Sequence, residues 1–97
     1  MAGGFVYIMS NAPSGTLYIG VTSDLTRRIW QHREGVGSDF CREYKLVRLV
    51  YAERHETIEG AIVREKQLKK WKRSWKLNLI GRMNPDWRDL WDDINNL

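Results

Sequence analysis

At 97 residues the chain has room for one hydrophobic core and not two, so one domain over 1–97 is expected. Its 42% hydrophobic content, with five tryptophans and four tyrosines, excludes a disordered chain. The net charge of +4 is uneven: residues 86–97 hold Asp86, Asp89, Asp92 and Asp93 against Arg88, which leaves +7 on residues 1–85 and favours an anionic partner, nucleic acid first. No apolar run approaches the ~20 residues that cross a bilayer. The start, MAGGFVYIMS, lacks the basic n-region and long h-region of a secretory signal. The lone Cys41 excludes an internal disulfide and a cysteine-based zinc site. A cytoplasmic protein without a membrane partner is the expectation.

Phe5 to Ser10 is a β-branched and aromatic run that ends in the turn formers SNAPSG, and Thr16 to Val21 is a second such run. A symmetric hairpin about Ala12 and Pro13 would set Tyr7 opposite Tyr18, both rings on one face. A helix follows, with Ser23 or Asp24 as N-cap and Gly35 as stop. At about 100° per residue, Arg28 and His32 border the stripe made by Leu25 and Ile29, whereas Arg27 faces water. Gly35 to Arg42 reads as a glycine-bearing loop, and Tyr44 to Glu53 as a strand buried on both faces. Helices are expected from Thr57 to about Arg73 and from Ser74 to about Ile80, with a last one opened by Asn84-Pro85-Asp86. This order does not suit a doubly wound parallel sheet. An α+β fold, with a three-stranded antiparallel or mixed sheet flanked by helices, fits better.

Glu65 is the most informative single position, because it falls inside the apolar stripe of Ala61, Ile58 and Leu68. A carboxylate there needs a partner, a metal or a route to water. A structural salt bridge to an arginine such as Arg28 or Arg48 competes with the metal reading. Tyr7 and Tyr18 could be packing alone, and His32 could be a capping residue or a base. Arg64 to Lys76 holds seven bases, against Glu65 as its only acid. That makes Arg64, Lys69, Lys70, Lys72 and Arg73 candidates for phosphate binding beside the plain reading of a solvated helix face. The pairs Trp71/Trp75 and Trp87/Trp91 read as packing before base stacking.

Taken in order, these residues resemble the GIY-YIG nuclease superfamily, particularly its small single-domain members. Val6-Tyr7-Ile8 stands where the GIY motif is expected, although Phe-Val-Tyr replaces Gly-Ile-Tyr, and Tyr18-Ile19-Gly20 reproduces YIG. Arg28 within DLTRRIWQH, His32 one turn later, and Glu65 at the end of AIVRE complete the pattern, which extends through KQLKKWKR and NPDW.

The resemblance implies a three-stranded antiparallel sheet flanked by helices, and hydrolysis of DNA phosphodiester bonds of a structure-specific, repair or recombination kind. Its cofactor would be one divalent metal, Mg²⁺ or alternatively Mn²⁺, held by Glu65. Tyr7 would act as base directly or through a relay. Tyr18 would share that role or position water and phosphate. Arg28 would contact the scissile phosphate, and His32 would orient or accept a proton. The alternatives are a nucleic-acid-binding module of the same fold that cleaves little, and an adaptor that docks a protein through exposed tryptophans. A protein partner or homodimer is left open.

Overall fold

Strand β1, Gly4–Ser10, alternates its apolar residues to both sides and is buried along almost its whole length, as befits the middle of a sheet. The computed structural model describes residues 3–96. β1 lies between β2, Leu17–Thr22, and β3, Arg48–His55, in the order β2-β1-β3, and pairs antiparallel with each. The fold is α+β, with an antiparallel sheet flanked by helices.

The hairpin register differs from the symmetric expectation. Tyr7 lies opposite Gly20 and Tyr18 opposite Met9, a slip of two residues. The turn explains it: Gly15 N donates to Ala12 O at 2.9 Å, Thr16 N donates to Asn11 Oδ1 at 3.1 Å, and Ser14 takes the left-handed region at φ 55°. This moves the centre of the loop one residue towards the C-terminus. Because side chains alternate with period two, the slip keeps both tyrosines on one face, as diagonal rather than direct neighbours. On the other edge of β1, a bulge leaves Val50 as the extra residue between the pairs Ile8–Tyr51 and Met9–Leu49.

Both faces of the sheet are covered. On the first, Tyr7, Met9, Leu49 and Ala52 pack against Leu25 and Ile29 of α1 (Leu25–Arg33), Cys41 of α2 (Asp39–Tyr44), and Leu90 and Ile94 of a C-terminal 3₁₀ helix (Leu90–Asn96). On the second, Val6, Ile8, Ile19, Val50 and Tyr51 meet Ala61 and Leu68 of α3 (Ile58–Lys70) and Ile80 of α4 (Arg73–Met83).

Side-chain caps set the starts of α1 and α3. Asp24 Oδ1 accepts from Arg27 N at 3.1 Å, and Thr57 Oγ1 accepts from Gly60 N at 3.0 Å, each such cap contributing about 1 kcal/mol. Gly35, at φ +78°, turns the chain away just past α1.

Four elements depart from the sequence expectation. The strand read from Tyr44 begins only at Arg48, because Tyr44 ends α2 and Lys45 turns the chain at φ 56°. The segment read as a loop over Gly35 to Arg42 contains the start of α2, capped by the Ser38 hydroxyl. α3 stops at Lys70 rather than near Arg73, because Trp71 and Lys72 are extended and Trp71 packs into the second face. Asn84-Pro85-Asp86 opens no helix. The buried Asn84 instead closes α4 and ties down the turn beyond it. Its Nδ2 donates to Val50 O and Arg88 O, its Oδ1 accepts from Arg88 N, and Trp87 sits at φ 54°.

Candidate active site

Four expected site residues converge on the first face. β1 delivers Tyr7, β2 delivers Tyr18 on the same face, and one turn of α1 delivers Arg28 and His32. Tyr7 Oη lies 2.8 Å from His32 Nε2 and accepts from Arg28 Nε at 3.3 Å. Arg28 also donates to Gln31 Oε1 at 3.0 Å, which fixes the plane of the guanidinium. The Tyr18 ring meets the His32 ring edge-on, with centroids 5.3 Å apart, and lies 6.3 Å from the Tyr7 ring. Arg27 is exposed, so the two adjacent arginines, about 100° apart round the helix, meet different surroundings, as the helical period predicts.

Glycine makes this approach possible. A Cβ at Gly20 would overlap the Tyr7 ring and hydroxyl, so the strand must carry glycine where the phenol crosses it. Gly37 plays a milder version of this part behind His32, where a Cβ would stand 3.0 Å from Nδ1.

Burial sets the protonation states. The Tyr7 phenol is pushed well above its ordinary range, mainly by loss of solvent, although the Arg28 hydrogen bond pulls the other way. Burial, and then the Arg28 charge, lower His32 to about 4. For Arg28, burial favours the neutral form, but its bonds to the phenols outweigh this and the guanidinium is held more firmly charged. At neutral pH the cluster is therefore a protonated phenol, a neutral imidazole and a fixed cation. His32 Nδ1 is buried with no hydrogen-bond partner among the described residues. Among the described residues the ring's only polar anchor is thus the Tyr7 hydroxyl.

Glu65 is contributed by a different helix. It sits on α3, on the second face, only 8% exposed, and its Oε2 is 2.8 Å from Lys69 Nζ. The arginine partners considered from sequence are engaged elsewhere, Arg28 as above and Arg48 on Trp87 O at 2.8 Å. A groove of about 310 Å³ runs across the β2 edge and joins the two sides. Leu17, Tyr18 and Ile19 line it together with Phe40 from α2, Lys69 from α3 and Lys76 from α4. Tyr18 thus opens to the groove from one side, and the ammonium that neutralises Glu65 opens to it from the other.

This architecture agrees with what known proteins show. A model of the GIY-YIG catalytic domain matches residues 3–78. The chain belongs to the GIY-YIG family. UPF0213 proteins of Staphylococcus aureus, strains Mu3 and Mu50, are each 38% identical to it over 76 residues, 78% of this chain and 92% of theirs. A UPF0213 protein of Bacillus halodurans, solved by solution NMR, superposes with a TM-score of 0.56 at 29% identity, covering 90% of this chain and 92% of that one.

Within this GIY-YIG domain the basic segment divides by role. Arg64 Nε donates to Glu53 Oε2 at 2.9 Å, and Arg73 Nη2 donates to the carbonyls of Ser14 and Gly15 at 2.6 and 2.7 Å. Both guanidinia spend donors inside the fold. Lys69, Lys70 and Lys72 are exposed.

Gly20 entered the sequence pattern only as part of YIG and Lys76 only as one of seven bases, and neither they nor Phe40 stood among the candidate site residues. A glycine inside a β-branched run signalled the first. The other two enter the groove only through the packing of α2 and α4 on the sheet.

Proposed function

We propose that the protein is a metal-dependent endonuclease that hydrolyses DNA phosphodiester bonds, with Tyr7, Tyr18, Arg28, His32 and Glu65 as its working residues. The observation that carries this reading is the Tyr7 hydroxyl held between His32 Nε2 and Arg28 Nε, beside a groove with lysines on its far wall. Arg28 would bind the phosphate through its planar fork. Tyr7, 1% exposed, is poorly placed to meet water itself. The half-buried Tyr18 would face the nucleophile and the phosphate, while Tyr7 and His32 behind it would hold or relay a proton.

Arrival of an anionic phosphate would offset the Arg28 charge that depresses His32, and so raise its basicity when it is needed.

Among the described residues no three His, Cys, Asp or Glu side chains come together, so a cage of protein ligands is not the model for the metal. One buried carboxylate, Glu65, fits a magnesium ion that keeps most of its waters and takes other oxygens from the phosphate. Lys69 would have to swing aside, which its exposed position allows. Such an ion supplies Lewis acidity and a more acidic bound water.

The same ion pair favours a second reading, a nucleic-acid-binding module of this fold that cleaves weakly because Glu65 stays engaged with Lys69.

Single-stranded, duplex, flapped and branched DNAs, each incubated with Mg²⁺, Mn²⁺ or chelator, separate the two. The nuclease reading predicts metal-dependent cleavage of at least one. It also predicts that Tyr7→Phe, which keeps the ring, loses most turnover while staying folded, with a melting temperature lowered only by the several degrees that the lost hydrogen bond to the buried His32 entails. Cleavage at the normal rate by Tyr7→Phe would reduce that phenol to packing.

A further inference from the structure

A second concave surface lies outside the tyrosine cluster, at the break between α3 and α4. It is a cleft of about 300 Å³ lined by Trp71, Trp75, Asn78, Leu79 and Arg82. The two indoles stand nearly perpendicular, at 86° with centroids 5.8 Å apart. Their roles differ: Trp71 packs against the core of the second face, whereas Trp75 is 49% exposed. Each carries a cation over its ring, Arg64 at 5.2 Å from Trp71 and Lys72 at 5.4 Å from Trp75. Arg64 is held in place by Glu53, whose carboxyl is in turn kept ionised by Tyr51, His55 and Arg64 against the effect of burial. Among the described residues no carboxylate lines the cleft.

An exposed indole in a cleft with cationic rims and an amide suits a ligand with a flat π face and an anionic backbone. The volume lies at the low end of the ~300–1,000 Å³ of ligand pockets, room for one base and not a duplex. Position on α4 adds a second argument. Trp75, Asn78, Leu79 and Arg82 form one helical face, and Lys76, about 100° round the helix from Trp75, lines the groove beside Tyr18. One helix thus carries the wall of the groove on one side and the tryptophan cleft on the other, with Lys69 and Lys72 near its start.

We propose that this cleft receives an unpaired base of a single-stranded DNA segment that continues from the groove, stacked on Trp75, with Arg82 and Lys72 on the flanking phosphates. The inference rests on the nuclease reading and narrows its substrate to DNA with a single-stranded portion next to the cleavage point.

Fluorescence anisotropy in chelator, on a labelled duplex with a single-stranded tail and on its blunt counterpart, tests the inference without requiring cleavage. The unaltered protein should prefer the tailed DNA. Trp75→Ala should lose roughly tenfold on the tailed DNA alone, as expected for one stacked base. Trp75→Phe should recover most of that loss, and both variants should melt like the unaltered protein. Equal affinities of Trp75→Ala and the unaltered protein for the tailed DNA would overturn the inference and leave the nuclease reading standing. Absence of binding to either DNA would likewise overturn the inference, while the nuclease reading stands or falls on metal-dependent cleavage.

Discussion

The Tyr7 hydroxyl can only accept from Arg28, so its own proton is free to point at the neutral imidazole of His32. This explains why a histidine is tolerated at 1% exposure with Nδ1 unpartnered. The ring gives up solvation and one hydrogen bond in exchange for the other. The arrangement has a pH signature. An imidazole in the unfolded chain binds its proton near pH ~6.5, and in the folded protein only near 4. Between these values the unfolded state holds more protons, so His32 destabilises the fold as pH falls. Its penalty is absent above ~6.5 and reaches about 3 kcal/mol by pH 4. Melting temperatures from pH 7 to 4 should therefore fall more steeply for the unaltered protein than for His32→Gln. The Glu53 contribution, lost with acid in both proteins, cancels in the comparison. Parallel curves would mean that His32 is not held neutral.

At the scale of elements, α1 is where local sequence rules worked best. Its cap, its stop and its inward face depend on side chains within a few residues of each other, and Asp24, Gly35, Arg28 and His32 all stand where the helical period puts them. That placement makes a sharp test. Arg28→Ala should cut cleavage by roughly two orders of magnitude or more, as for loss of a charge-stabilising donor, while Arg27→Ala changes it only mildly. Comparable losses in both, with folding intact by circular dichroism, would contradict the assigned face. The elements that sequence misplaced were decided at longer range. The hairpin register turned on Asn11 and Ser14 in the loop, and α3 was cut short by Trp71 entering the core. Asn84 spends its amide on Val50 and Arg88, contacts no pattern within NPDW reveals.

At the scale of the whole molecule, the sheet divides the candidate site. Tyr7, Tyr18, Arg28 and His32 gather on one face, Glu65 sits on the helix that covers the other, and the groove over the β2 edge brings Tyr18 and Lys69 together. Periodicity marked Glu65 as an acid on an apolar stripe, and the family pattern gave it a purpose. Neither indicated that its partner would be Lys69. That partner decides what a mutation must show. Lys69 is 54% exposed, so removal of the Glu65 charge strands no buried cation, and the Gln amide relieves the fold of a buried charge while keeping an oxygen towards Lys69. The most direct test is the Glu65→Gln protein, followed by thermal melting, DNA binding and Mg²⁺-supported nicking on one preparation. The account predicts a melting temperature within a few degrees of the unaltered protein, DNA binding equal or tighter because one negative charge is gone, and no metal-dependent cleavage. A Glu65→Gln protein that folds, binds DNA and cleaves it with Mg²⁺ at the unaltered rate would contradict it.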